Sequence, residues 1–479
     1  MTTADRYLDM ISPINGLPDR ETAIWKHLVC LWRQKKVRNT LRYEYYTQKQ
    51  GLKDFGISLP ERLKKSEIKI GWAQKAVDAL LARSQFDGFT FDDQNWETED
   101  LIRDICRQNN LNQLYKQASR SELISSCAFW TVSRGNVALG EPSAIINAYQ
   151  ATYGSCEWDR RKKRVKHGLT IVDTEMTDAG EEVPTCACLY TDTDTWEITK
   201  IDGVWTSRRN PHTLGRPMFE PMVYKPTLER PLGNSRITRS VMTLVDCAQR
   251  EAFRTEASAE FFTAPQKYIL GADEDLFEGQ TQMETYIGNW LAISRDDNGD
   301  IPQVGMFSQG TMQPHTDYMR ALASRFSCET NIPVSMLGVI HDNPSSAEAI
   351  NAELEPLLQE AEELNQMNGK ALVNVALIAL ACAKNCTLEE LSEVDRSIMA
   401  NWKNTSTQSP VSKADRMAKA VSVVPSIAES DVALEELGFT ESQRQRITQA
   451  KKSQQWHERI MATIDAGEKK EKEQAESEN

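Results

Sequence analysis

Between Gly233 and Pro265 the chain runs without a single glycine or proline, and this stretch constrains the fold more than any other feature. Ser235 is a good N-cap and Phe262 precedes the breaker at Pro265; at about 1.5 Å per residue, a helix between them spans about 40 Å. Ile237, Val241, Leu244, Val245 and Ala248 recur at helical spacing and form one stripe, whereas Arg236, Arg239, Arg250 and Arg254 fall largely off it. Such a rod needs neighbours along one edge and water along the other.

The segment upstream reads as helix first and strand second. Asp19 is placed to cap a helix carrying Ile24, Trp25, Leu28, Leu31 and Trp32; Trp72 to Arg83, Glu99 to Cys106 and Leu111 to Ser125 repeat the pattern. From Phe129 to about Tyr224 the runs shorten and alternate, with an Asp202-Gly203 hairpin signal between Ile201 and Val204. The most basic run, Arg160 to His167, falls here. It reads either as a nucleic-acid contact or as an exposed hairpin tip whose charges are merely solvated.

Downstream, Thr263 to Gln313 reads as a small α/β unit. A short helix is expected around Asp275 to Tyr286, with strands at Trp290 to Ser294 and near Val304 to Phe307. The Asp296 to Asp300 turn lacks the ligand spacing and closing glutamate of a calcium loop. A second helix, Thr316 to Thr330, stops before Ile332-Pro333. After a turn-rich loop, Ser346 to Met367 is helical with Pro356 inside it, which predicts a kink; Gly369 punctuates the helix again, and Leu372 to Cys382 is apolar all round, as in a helix buried on every side. Ser430 to Leu437 and Glu441 to Met461 are shorter helices, the latter with Thr440 and Gln443 as a capping box. The final residues, Gly467 to Asn479, are charged and expected to be disordered.

Composition narrows the function classes. With 479 residues, 40% of them apolar and 26% charged, the chain is an ordinary globular protein with room for more than one domain. Met1 to Ile11 does not resemble a signal peptide, and the apolar run Ala371 to Ala383 is short for a bilayer and contains Asn374, so a cytoplasmic product without membrane contact is expected. The ten cysteines lie mostly in apolar stretches, as reduced core thiols do. A net charge of −13 argues against broad adhesion to nucleic acid; it does not argue against a channel wall that repels a sliding duplex, and composition alone does not choose between the two.

No catalytic or metal-ligating constellation stands out. There is no phosphate-binding G-x-x-x-x-G-K-[ST] loop, no H-E-x-x-H, no G-x-S-x-G and no G-x-G-x-x-G. The Cys186/Cys188 and Cys382/Cys386 pairs have no adjacent histidine or second pair, and the six histidines are dispersed. No cofactor is expected, and no residue is assigned a catalytic or metal-binding role.

Four segments together resemble the portal proteins of tailed siphophages, in particular those of phages of actinobacteria. They are Tyr45-Tyr46 to Leu63; Gly71-Trp72-Ala73 through Val77-Asp78-Ala79-Leu80 to Gly88-Phe89; Gly233-Asn234-Ser235-Arg236-Ile237 through Asp246, Arg250, Glu260-Phe261 and Pro265-Gln266-Lys267-Tyr268 to Gly271; and Ile332-Pro333 to Leu337-Gly338, followed by Asn343-Pro344-Ser345-Ser346-Ala347-Glu348-Ala349-Ile350. Their order and spacing cover roughly residues 41–369. One departure is Ser126-Cys127, where the resemblance leads one to expect a glycine before the strand.

The resemblance implies a mixed α+β, predominantly helical fold. It divides the chain into a wing (1–232, with a helical layer over 1–128 and a β region over 129–232), a first stem helix (233–262), a clip (263–313) and a second stem helix (314–338). A tunnel loop (339–345), a channel-facing kinked helix with the wing core (346–384), a crown (385–466) and a disordered tail (467–479) follow. It implies a ring of about twelve copies at a capsid vertex, assembled in the host cytoplasm, through which double-stranded DNA passes during packaging, retention and ejection. Its partners are the terminase large subunit, a head-completion adaptor, and major capsid and scaffolding proteins. His341, Asp342, Asn343, Pro344, Ser345 and Ser346 are then expected to face the duplex, with Arg236, Arg239, Arg250 and Arg254 as stem or channel candidates. A non-portal structural adaptor or scaffold, and a phage nuclease or hydrolase, are the alternatives.

Overall fold

Long uninterrupted helices and turn-punctuated strands both occur in the computed structural model of the chain, which describes residues 9–51, 68–91, 96–178, 180, 182–263, 267–270, 303–306, 310–338, 347–406, 410–429, 431–439 and isolated positions over 443–451. The fold is mixed α+β. Two compact units divide at Trp402: residues 1–402 and 403–479.

The first unit opens with helix α1, Asp19–Tyr46. Asp19 is its first residue rather than its cap: Pro18 holds the N-cap position in an extended conformation without a side-chain bond. Trp25, Leu28, Val29 and Trp32 bury one face of α1 against a five-stranded antiparallel meander, β4 (Gly154–Asp159), β5 (Arg164–Met176), β6 (Glu182–Tyr190), β7 (Asp194–Ile201) and β8 (Val204–Pro211). The indole N–H groups of Trp25 and Trp32 are satisfied by the carbonyls of Met10 and Thr152, each at 2.7 Å. Asp202 and Gly203 both take positive φ, +49° and +83°, which a two-residue turn between β7 and β8 requires. Arg160 to Lys163 of the basic run form an exposed hairpin tip between β4 and β5, whereas Arg164 to His167 belong to β5, with His167 buried.

A second layer is built on helix α2 (Trp72–Leu81), strand β1 (Phe86–Thr90), helices α3 (Trp96–Gln108) and α4 (Leu111–Ser125), and the three-stranded sheet β3-β2-β9 (Ala144–Gln150, Cys127–Arg134 and Phe219–Val223). The single β region expected over 129–232 is thus two sheets. Between α4 and β2 stands Ser126 with φ +108°, the conformation glycine adopts most easily and the position where the resemblance leads one to expect glycine.

Helix α5, Arg239–Thr263, starts later than expected. Ser235 does not cap it: its hydroxyl donates to the carbonyl of Ile124 at 2.5 Å and accepts from the N–H of Ile237 at 2.9 Å. Thr238 takes over, its hydroxyl accepting from Val241 N–H at 3.2 Å. Strand β10, Lys267–Leu270, pairs antiparallel with β11, Gln303–Met306, the latter at the strand expected near Val304 to Phe307. The helix expected at 275–286, the strand at 290–294, the turn at 296–300, the loop at 339–345 and the tail at 467–479 lie outside the described residues.

Helix α6 is Gln313–Thr330, with Pro314 in its first turn and Asn331 closing it at φ +55°. Helix α7, Ala347–Lys384, is continuous through both Pro356 and Gly369. Glycine costs about 1 kcal/mol in a helix interior, and the burial of Leu364, Asn365, Asn368 and Leu372 on either side outweighs that. The second half of α7 meets the length and composition of a membrane-crossing helix, yet Leu372, Val375, Ala376, Ile378, Ala379 and Leu380 are buried in the protein's own core, as the all-round apolar pattern predicts. Helix α8 (Glu393–Arg396) and strand β12 (Met399–Trp402) complete the unit, β12 pairing with β1; residues 385–402, expected in the crown, pack here. Not every cysteine is a core residue: Cys127, Cys156 and Cys382 are buried, whereas Cys30 and Cys328 are exposed.

The second unit contains helix α9 (Pro410–Val423) and helix α10 (Asp431–Glu436), the latter followed by Gly438 at φ +90°. Arg416 of α9 pairs with Glu436 of α10. Thr440 of the expected capping box lies outside the described residues.

Candidate functional site

Helices α5 and α6 run antiparallel, because the residues before α5 meet the end of α6 while the end of α5 meets the start of α6. The apolar positions Ile237, Val241, Val245 and Ala248 are fully buried, with Leu244 half-buried, against Leu322, Ala323 and Phe326 of α6 and against α2; the Trp72 and Phe326 rings meet tilted by 47°, with centroids 5.3 Å apart.

At the base of the pair lies a buried ion cluster. Arg236, only 5% exposed, donates from Nε to the carbonyl of Ala76 at 2.6 Å, from Nη2 to the carbonyl of Thr330 at 2.5 Å and from Nη1 to the Tyr224 hydroxyl at 3.0 Å. Its Nη1 lies 2.6 Å from Oε1 of Glu360 on α7. The same Glu360 oxygen accepts from Tyr224 at 2.5 Å and from Lys225, and Oε2 accepts from Asn331 at 3.3 Å. Burial alone would raise the Glu360 pKa; the Arg236 charge, with the bonds from Arg236, Lys225 and Tyr224, outweighs it and holds the carboxyl at about 2. One carboxylate therefore ties together the start of α5, the end of α6, the end of β9 and the first half of α7.

Two further contacts fix the pair. The Tyr45 hydroxyl at the end of α1 donates to both oxygens of Asp246 on α5, at 2.8 and 3.0 Å. At the far end, His315 of α6 bridges two residues of α5, with Nδ1 2.7 Å from Oε1 of Glu251 and Nε2 3.0 Å from Oγ of Ser258. The acid–imidazole–hydroxyl order resembles that of a hydrolase, but Ser258 lies inside α5, where backbone N–H groups are spent on the helix and cannot form an oxyanion hole. The contact is a clamp between the helices.

Beyond Phe253 on α5 and before Leu322 on α6, none of the described side chains of the two helices is fully buried. Ten residues of α5 follow Phe253, so the pair extends about 15 Å past the core that anchors it. The first half of α7 has a different exposed face: Glu353, Glu355, Glu362 and Glu363 point to solvent, and no lysine or arginine occurs from Ala347 to Gly369.

The candidate residues named from sequence separate accordingly. Arg239 and Arg254 are exposed on α5, Arg254 paired with Glu251 at 3.5 Å. Arg250 is half-buried, with Nε 3.3 Å from the Asp246 carbonyl. Arg236 is no surface contact: it precedes α5 and all three of its nitrogens are engaged inside the protein. Pro356 is exposed on α7, and its missing N–H leaves the carbonyl four residues back without its helical partner. His341, Asp342, Asn343, Pro344, Ser345 and Ser346 lie outside the described residues. Sequence reasoning missed Glu360, although a signal existed: it shares the helical stripe of Leu357, Ala361 and Leu364, and a carboxylate at a core position demands a partner. Among the described residues no group of three or more His, Cys, Asp or Glu side chains is placed to hold a metal ion.

The family model described as phage portal protein, SPP1 Gp6-like, matches residues 30–458. Two curated relatives are the portal protein of Mycobacterium phage L5, 25% identical over 452 residues, covering 91% of this chain and 90% of the relative, and that of Mycobacterium phage D29, 25% identical over 415 residues, covering 84% and 83%. Among solved structures, the chain is similar to subunits of the neck of a native GTA particle computed with C12 symmetry (TM-score 0.39, 10% identity, 73% of this chain and 85% of that one) and of the neck of an empty GTA particle computed with C6 symmetry (TM-score 0.43, 13% identity, 79% and 94%). The chain belongs to the SPP1 Gp6-like family of phage portal proteins. It is a structural protein rather than an enzyme.

Proposed function

We propose that copies of this chain, about twelve, close into a ring at a capsid vertex, and that α5 and α6 form its stem. The observation that carries this reading is the projection of the helix pair beyond its own core. A helical hairpin whose outer stretch has no fully buried side chain among those described gains further neighbours from adjacent copies, and a heterologous contact repeated by rotation closes into a ring. In this reading residues 1–232 are the wing, 263–313 the clip and 385–466 the crown, most of the crown falling in the unit that begins at Lys403.

In this reading double-stranded DNA passes along the axis without sequence readout during packaging and ejection. The acidic face of α7 is turned toward it, so that the wall repels phosphate and does not stall the duplex. Arg239, Arg250 and Arg254 supply the few stem cations within reach of the backbone, while Arg236 holds the stem to the wing. The loop at 339–345 forms the constriction, and Pro356 is the point at which α7 bends with it. The terminase large subunit docks on the clip and supplies the energy for transport; a head-completion adaptor then replaces it, and capsid and scaffolding proteins hold the wing. Assembly takes place in the host cytoplasm.

Electron microscopy of purified protein and of capsid vertices tests this. A ring of twelve 54.2 kDa subunits has a mass of about 650 kDa. A monomer in solution together with a ring at the vertex fits the proposal; a vertex without one refutes it.

A further inference from the structure

The charge of −13 is an average over a chain whose cations are gathered in places. On the second half of α1, Lys35 and Arg38 are exposed and Arg42 is half-buried, and helical spacing puts the three on one face. Arg230, exposed in the connection between β9 and α5, lies close enough for its charge to act on two of them. Burial first, then Arg38 and Arg230, lower the Lys35 pKa, and burial with the Arg38 and Arg230 charges brings Arg42 down to about 10. The hairpin between β4 and β5 reaches the connection that carries Arg230, with Arg160 donating to the carbonyl of Glu229 at 3.4 Å. Its tip carries Arg161, Lys162 and Lys163, all exposed.

Few acids balance these cations. Asp159 accepts from the backbone N–H groups of Arg161 and Lys162 at the foot of the tip, Glu157 pairs with Lys166, and Glu229 is exposed beside Arg230. Among the described residues, none of the eight cations forms an ion pair with a carboxylate. Three segments distant in sequence thus put unpaired positive charge on one side of an acidic protein.

We propose that this patch binds the phosphate backbone of duplex DNA without reading bases, on a face separate from the paired helices α5 and α6. Cations distributed along a helix and a hairpin finger match phosphates spaced along a strand, and such contacts position a duplex without specifying its sequence. Val37, Leu41 and Leu228 are exposed at or near the patch, so an acidic protein segment with apolar residues is the rival occupant; eight cations against three aliphatic side chains favour the polyphosphate. The duplex it meets is DNA lying against the flank of the protein.

The test is fluorescence anisotropy of the full chain with a mixed-sequence duplex of about 30 base pairs over a salt series. Two variants are compared with the wild type: Arg161→Glu/Lys162→Glu/Lys163→Glu and Lys35→Glu/Arg38→Glu. All five positions are exposed, and thermal unfolding and particle mass check that the fold and assembly persist. Binding inside a ring contributes equally to all three proteins and so cancels. Each variant is expected to lose at least about tenfold in affinity at low salt, and the triple variant to give a log–log salt slope shallower by about 2.7, that is about 0.9 for each lost contact. Unchanged affinity and slope in both variants would overturn the proposal. So would unchanged DNA binding combined with loss of capsid incorporation, which would assign the patch to an acidic protein instead.

Discussion

Oε1 of Glu360 lies 2.6 Å from Nη1 of Arg236, and this one contact joins α7 to the residues that lead into α5. Both side chains are almost wholly buried, at 5% exposure each. Removing one partner strands the other's charge away from water, so Glu360→Ala or Arg236→Ala is expected to destabilise the fold by about 3–5 kcal/mol. Urea unfolding measures it; a loss below about 1 kcal/mol contradicts the assignment.

The same pair sets an acid limit. The folded-state pKa of Glu360, about 2, is below its ordinary value near 4.5, so the folded protein binds fewer protons than the unfolded chain between those values. Its contribution is complete above about pH 4.5 and fades as the pH falls toward 2. Wild type and Glu360→Gln should converge in stability over that window and stay apart above it. A difference constant down to pH 2 speaks against the depressed pKa.

Glu122 behaves in the opposite sense. It is fully buried on α4, its Oε2 accepting from Asn368 at 3.0 Å, and burial pushes its pKa up to about 8 despite that bond. The folded state then binds more protons than the unfolded chain between about pH 4.5 and 8, and stability falls as the pH rises through that range. Glu122→Gln keeps an acceptor for Asn368 and removes the penalty, with an expected gain on the order of 3 kcal/mol at pH 7 and none near pH 4. Equal stabilisation at both pH values contradicts the shift.

These two carboxylates also mark where the sequence was legible. The helices were readable because their apolar stripes are local: Trp25, Leu28 and Trp32 announce α1, and Leu372 to Cys382 announce a core helix. The resemblance to portal proteins rested on similarly local segments, Gly233 to Ile237 among them. The start of α5 was misplaced because Ser235 and Thr238 are both good caps, and only the partner that captures Ser235, the carbonyl of Ile124, decides between them. Arg236 reads as a surface cation because what buries it comes chiefly from Ala76, Thr330 and Glu360, all far away in the chain. Glycine at 369 read as a break because the packing that holds the helix through it is tertiary.

Ser126 offers a stabilising change. At φ +108° a side chain is strained and glycine is not, so Ser126→Gly is expected to gain about 1 kcal/mol, set against a smaller cost from the freer unfolded chain. Thermal unfolding reads the sign; destabilisation would mean that the serine side chain contributes more than the strain costs.

The constriction proposed for 339–345 predicts a separation of assembly from function. Replacing this loop by a short glycine-serine linker should leave particle mass unchanged and impair DNA packaging or retention in infected cells. Normal infectivity of such a phage removes the loop from the mechanism.

The projecting helix pair is the foundation of the proposed function, and an averaged electron-microscopy image of the capsid vertex examines it most directly. The account predicts a closed ring of about twelve subunits, with α5 and α6 side by side around an opening wide enough for B-form DNA. A compact particle without a central hole, with α5 and α6 still facing solvent inside assembled heads, would contradict it.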